Sequence, residues 1–310
     1  MAYITFQPND HFNTKLYTGT GSAPNAQTGV GFKPDLLWIK PRNLANSNRL
    51  HSPLLTAPDY YVMSENTDAE ATNNNSVTSF DTDGFTLGNT DNGWNGSYNY
   101  VAWNWKAAGT SGSANTDGSI NSTVSANTTS GFSIVKYGDS TGTQTVGHGL
   151  GSDVKVLIIK NLTSTNNWHV WHAGIPTSAI HLNESGAKTD SWFATYQNST
   201  APTSSVFTVK SGGGDDTLGS SKNYIAYCFA EKTGFSKFGS YTGNGNSNGP
   251  FIFTGFKPGF LLIKNTSATE AWYIMDIKRP GYNTNNYYLK ADDYAVEGTS
   301  TSLATSLLSN

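Results

Sequence analysis

Three stretches of this chain carry one hydrophobic pattern: a leading glycine, a short polar or proline-bearing turn, four uninterrupted apolar residues and a closing lysine. They read GFKPDLLWIK over residues 31–40, GLGSDVKVLIIK over 149–160 and GFKPGFLLIK over 255–264. The apolar runs 36–39, 156–159 and 260–263 are too short for helices and are bounded by turn formers, which predicts strands covered on both faces. Lys40, Lys160 and Lys264 read as strand-end charges that snorkel to solvent and discourage edge aggregation. The closing lysines stand 120 and 104 residues apart, and Tyr17, Tyr137 and Tyr241 keep the same two offsets. Two landmarks holding register over three copies predict internal duplication.

The spacing divides the chain into a leader (1–15), a first unit (16–106), a Ser/Thr/Gly-rich linker (107–131), a second unit (132–238) and a partial third unit (239–310). The tandem units are expected to be all-β. Within the first unit, 60–63 reads as a strand and 79–88 as a strand with an Asp83-Gly84 turn. The first unit closes on YNYVAWNWK and the second on NYIAYCFAE. Aligning Tyr100 with Tyr224 sets Val101, Trp103 and Trp105 opposite Ile225, Tyr227 and Phe229, with Ala102, Ala226, Asn104 and Cys228 on the other face. The large face is expected in the core, and the small face against a second layer with Cys228 as filler. Residue 309 is where the third unit should begin its last strands, so that unit is expected to be finished by a longer parent chain or a partner, because a half-sandwich exposes unpaired edges.

Charge narrows the function classes. Only 13% of residues are charged and the net charge is −3, which argues against nucleic-acid binding and polybasic membrane attachment. Hydrophobic and aromatic contents of 36% and 13% argue against disorder. No secretory signal and no window of eighteen apolar residues is seen, which excludes membrane insertion by a helix and points to a chain finished in a cytoplasm. A low-charge, Thr/Ser/Asn/Gly-rich texture suits extracellular fibres. A virion protein made in a host cytoplasm satisfies both.

Candidate chemistry is sparse. His169 and His172 are three apart on a strand, hence on opposite faces, which is wrong for one metal site. Asp81 with Asp83, and Asp215 with Asp216, are oxygen-rich pairs of the type calcium uses, but no metal and no cofactor is expected. Glu184, Asp190 and Asp276 read as solvated loop carboxylates, and no catalytic motif is present, so no enzyme is expected. Trp94, within TDNGWNGSYN, together with Trp168 and Trp171, are the candidate glycan or partner contacts, because an indole face packs on a sugar ring while amides bond its hydroxyls.

The succession YTGTG, GFKPDLLWIK, SFDTDGFTLG and YVAWNWK, then TDGSINSTVSANTTSGFSIVKYG, VGHGL and YIAYCFAEKTGFSKFGSYTGNGNSNGPFIFTGFKPGFLLIKN, resembles a repeat domain of uncharacterised function found in structural proteins of marine tailed bacteriophages. The resemblance covers nearly everything from Leu16 onward. It implies a virion component built of tandem β-sandwich units of jelly-roll or lectin-like kind, either a tail fibre or tail-associated protein or a capsid decoration, that works by assembly and host-surface binding. The expected partners are other virion proteins, further copies of the chain and host-surface glycan. The alternative from another class is a glycan-binding or glycan-depolymerising spike.

Overall fold

In the computed structural model, which describes residues 4–214 and 216–308, the secondary structure is almost entirely antiparallel β. Residues 12–105 supply β1 (Phe12–Thr18), β2 (Asn25–Gln27), β3 (Leu36–Pro41), β4 (Arg49–His51), β5 (Tyr60–Met63), β6 (Ala71–Thr72), β7 (Val77–Asp81), β8 (Gly84–Leu87) and β9 (Asn99–Trp105). The next stretch supplies β10 (Ser113–Asn115), β11 (Ser122–Asn127), β12 (Phe132–Gly138), β13 (Thr143–Gly147), β14 (Val154–Asn161), β15 (His169–His172), β16 (Ala179–His181), α1 (Asp190–Gln197), β17 (Val206–Lys210) and β18 (Asn223–Ala230). Then come β19 (Phe260–Lys264), β20 (Trp272–Asp276), β21 (Tyr287–Lys290) and β22 (Gly298–Thr299).

The three landmark runs are β3, β14 and β19, one in each of three larger sheets. Their leading glycines, Gly31, Gly149 and Gly255, have φ of 90°, 69° and 82°, a left-handed turn that side chains with a Cβ resist. This is why glycine recurs there. The first sheet runs β1-β9-β3-β4-β5-β6, the second β10-β11-β12-β18-β14-β15-β16 and the third β19-β20-β21-β22. In the first two, the closing strand is central and holds equivalent register: Trp103 faces Trp38 as Tyr227 faces Ile158, and Ala102 faces Ile39 as Ala226 faces Ile159.

The alternation predicted for the closing strands holds. Val101, Trp103, Ile225 and Tyr227 enter one shared core with Trp38, Ile134 and Ile158, and with Trp272, Ile274 and Leu289 of the third sheet. Ala102 packs beneath the β2-β8-β7 ribbon with Leu37, Ile39 and Phe85. Ala226 and Cys228 pack with Leu157, Phe207 and Val209 of the second sheet and its β13-β17 ribbon. Cys228 is fully buried and burial raises its thiol pKa, as expected of a filler. The layering is thus of sandwich type, with the three inner faces turned toward one another.

Two boundaries differ from the sequence division. β1 starts at Phe12, inside the presumed leader, because its alternate side chains pair along all of β9. The presumed linker contains β10 and β11, which extend the second sheet beyond β12. Small hydroxyl residues serve there because an edge strand needs backbone partners more than apolar bulk. The 79–88 stretch is a β7–β8 hairpin with Asp81 opposite Gly84. Helix α1 was not anticipated. It lays Phe193 on the outer face of the second sheet.

Candidate functional site: clasped junctions and an open third sheet

The three closing lysines do not snorkel. Lys40 and Lys160 are completely inaccessible to solvent and Lys264 is half-buried. Each ammonium is aimed past the end of its strand at a carbonyl of a different sheet. Lys40 Nζ donates to Pro41 O (3.0 Å) and Tyr294 O (3.2 Å). Lys160 Nζ donates to Asn161 O (2.7 Å) and Thr67 O (3.2 Å). Lys264 Nζ donates to Asn265 O (2.9 Å), Ser185 O (2.9 Å) and Glu270 O (2.7 Å). Burial lowers both Lys40 and Lys160 to about 8, and lowers Lys264 in the same direction.

Backbone bonds repeat around each lysine. Asn46, Asn166 and Glu270, each six residues beyond its lysine, donate N–H to the same carbonyls of Tyr294, Thr67 and Ser185. In return Glu297, Glu70 and Lys188 donate N–H to Arg42, Leu162 and Thr266, each two residues beyond the lysine. A side chain eight residues on completes each clasp. Trp168 Nε1 donates to Met63 O (2.9 Å), Trp272 Nε1 to His181 O (3.0 Å), and Asn48 Nδ2 to Lys290 O (3.1 Å). The first sheet therefore grips the third, the second grips the first and the third grips the second. The clasps close a ring.

The tryptophans proposed as exposed contacts are structural. Trp94 is fully buried, its indole N–H donates to His51 Nε2 (2.7 Å) and the Arg49 guanidinium stacks 4.3 Å from its ring. Trp168 lies in the shared core, and Trp171 lies in the outer cluster of the second sheet. No sugar can reach these faces, so the glycan assignment of Trp94, Trp168 and Trp171 is corrected. The Asn residues flanking Trp94 made it read as exposed, but Asn95 spends its amide on the carbonyls of Ser22 and Asn89. His169 and His172 are not brought together. His169 is buried and bonds Gln197 Oε1 (2.8 Å); burial lowers its imidazole to about 3 although the Gln197 bond acts the other way. Asp83 accepts N–H from Gly29 and Gly31, and Asp81 accepts from Thr86 Oγ1. Asp276 is a buried partner of Arg279 and Trp103 rather than a solvated carboxylate. Asp215 lies outside the described residues.

Beside the clasp between the second and third sheets is an open groove of about 710 Å³, whose lining includes Glu184, Ser185, Glu270, Tyr273 and Asp292. Behind it His181 stacks on Trp192 at 3.8 Å, with Glu184 Oε2 at 3.2 Å from Nδ1 and Asp216 Oδ2 at 3.6 Å from Nε2. Burial lowers the imidazole and raises both carboxyls. The groove is rich in acceptors and suits a ligand with hydroxyl or ammonium donors.

The family model of DUF7483, a domain of unknown function, matches residues 7–310. The chain belongs to the DUF7483 family. No curated protein and no solved structure matches it. In this DUF7483 chain the third sheet differs from the other two. Among the described residues β19 is hydrogen-bonded to a strand on one side only, where β3 and β14 are bonded on both, and Tyr241, Phe251 and Phe253, in the segment that precedes it, stand 55%, 67% and 66% exposed. Among the described residues no helix is long and apolar enough to cross a membrane.

Proposed function

We propose that this chain is a structural component of a tailed-phage virion, exposed on the particle as a fibre, tail-associated or decoration element, and that it works by protein assembly. The observation that carries the reading is the contrast between a ring of clasps that ties the three sheets together and the edge of β19, which among the described residues lacks the second strand neighbour that β3 and β14 have. An unpaired strand edge and exposed aromatic side chains are both features of interaction sites. The sequence resemblance to phage structural proteins supplies the setting. Immunogold labelling of purified particles with an antibody to this chain tests it: gold on capsid or tail supports the assignment, and bare particles refute it.

The groove beside Glu184 and Tyr273 favours a second reading, in which the particle protein also holds host-surface glycan. Saturable binding of a host polysaccharide that is lost in Tyr273→Ala would support it, and equal binding by that variant would refute it.

A further inference from the structure

His181, the last residue of β16, is an imidazole held between two carboxyls that differ in their access to water. Its ring stacks on Trp192 of α1 at 3.8 Å and 12°, and its carbonyl accepts the Trp272 indole N–H at 3.0 Å. The ring is thus clamped, and its two nitrogens keep their places. Nδ1 lies 3.2 Å from Glu184 Oε2, and Nε2 lies 3.6 Å from Asp216 Oδ2. The side chains of His181 and Asp216 are 2% and 4% exposed, whereas that of Glu184 is 41% exposed and lines the groove.

A neutral imidazole carries one N–H and can serve only one of the two carboxyls. Burial lowers His181 to about 4, so above that pH the ring is neutral. When its N–H is on Nδ1 and serves Glu184, the Nε2 lone pair faces Asp216 Oδ2, and among the described residues neither of these two atoms has another partner. Two buried acceptors face to face repel unless a proton lies between them. Burial raises the Asp216 carboxyl, which favours a proton on Oδ2 donated to Nε2. Once that proton leaves for solvent, Asp216 cannot turn to water but Glu184 can. The N–H then moves from Nδ1 to Nε2, where it serves the buried carboxylate, and Glu184 loses its donor. The cluster has lost one proton and gained one negative charge. Of the other groups that face it, His169 of β15 is neutral above about 3, Lys160 of β14 keeps its charge below about 8, and burial raises Tyr196 of α1.

We propose that His181 is a tautomer switch, set by the proton on Asp216, that ties Glu184 to the groove wall in one state and releases it into the groove in the other. Released, Glu184 joins Glu270 and Asp292 as an acceptor for ligand hydroxyl or ammonium groups. That consequence rests on the reading of the groove as a glycan site.

Histidine nitrogen NMR of the full chain between pH 4.5 and 7.5 tests the switch directly. The expected result is one step, in which the His181 proton passes from Nδ1 to Nε2 as pH rises. Asp216→Asn keeps the Oδ1 acceptor used by Asn166 and Asn167, and its amide N–H serves Nε2 at every pH, so the Nδ1–H form should persist throughout. A single tautomer across the range in the parent, an imidazolium at pH 6, or a variant that still switches would each overturn the proposal. If the variant does not fold, the titration of the parent chain decides alone. Saturable binding of a host polysaccharide should strengthen at least about fivefold through the step in the parent and stay flat in Asp216→Asn. Binding that stays flat in the parent while the tautomer changes would overturn the link to the groove. A switch with no polysaccharide bound would leave the tautomer change standing and remove the glycan reading. Tyr273-dependent binding with one tautomer throughout would do the reverse.

Discussion

Replacing Lys160 by methionine separates the two things a buried clasp lysine does. In the folded chain this ammonium is inaccessible and its pKa is about 8, against 10.5 for an ordinary lysine. Keeping it charged at pH 7 therefore costs about 3 kcal/mol. The unfolded chain holds the proton up to about 10.5 and the folded chain only to about 8, so in that window the unfolded state binds more protons and stability rises with pH. By pH 10 the gain is about 2.5 kcal/mol for Lys160, and a similar amount for Lys40, which has the same burial and the same lowered pKa. Above pH 10 buried Tyr17 and Tyr137, whose pKa values are raised, reverse the trend as unfolded tyrosines ionise. Lys160→Met removes the charge together with its bonds to Asn161 O and Thr67 O, a loss of about 1–3 kcal/mol. The two changes nearly cancel, as replacement of buried charge by an apolar isostere often does. At pH 7 the variant should lie within about 1.5 kcal/mol of the parent. Between pH 8 and 10 it should gain about half as much stability. Urea titrations followed by tryptophan fluorescence at unit pH steps measure both. Equal gains in the two proteins, or a loss above about 4 kcal/mol at pH 7, would refute the account of the clasp.

Other outcomes follow from the same geometry. Trp168→Ala should cost about 3–5 kcal/mol in chemical denaturation, because it empties a filled core site and leaves Met63 O without its donor. Trp94→Ala should lower stability by a similar amount and leave polysaccharide binding unchanged, measured on the same samples. Burial holds His51 and His169 at about 3, so nitrogen NMR at pH 5 should find both imidazoles neutral; a protonated ring would contradict their packing. Arg42 and Glu297 make a two-point contact across the first–third clasp at 3.0 and 2.8 Å while partly exposed. A double-mutant cycle to alanine should find about 1 kcal/mol of coupling, and zero coupling would make the pair incidental.

Strand positions were legible where side chains alone decide them. The runs in β3, β14 and β19 announce themselves because a strand buried on both faces needs contiguous apolar residues. The faces of β9 and β18 were legible because alternation is local. The fate of the lysines was not. Lys40, Lys160 and Lys264 recur in register, but their acceptors sit 254 residues ahead, 93 behind and 79 behind in sequence. They are carbonyls, which leave no mark on residue identity. The tryptophans misled for a related reason: Asn and Gly around Trp94 form hydrogen-bonded turns that roof the indole, and such turns look like solvent-facing loops in one dimension. β10 hid in a Ser/Thr tract because an edge strand is selected for backbone pairing.

The order of the clasps carries a constraint on how the three sheets find one another. If each lysine met the loop following its own strand, the units would be separable beads; instead every clasp crosses to another sheet, and three crossings in one rotational sense form a closed circuit. A one-residue slip at the Lys40 or Lys160 junction would turn a fully buried ammonium away from its carbonyls, and an unpaired buried charge costs several kcal/mol. Apolar packing in the shared core is tolerant by comparison, since Trp103 and Tyr227 occupy equivalent sites with different shapes. The core therefore supplies most of the drive to associate, and the lysines decide register. On this argument the third sheet is held in place by its two clasps, one from Lys40 to Tyr294 O and one from Lys264 to Ser185 O.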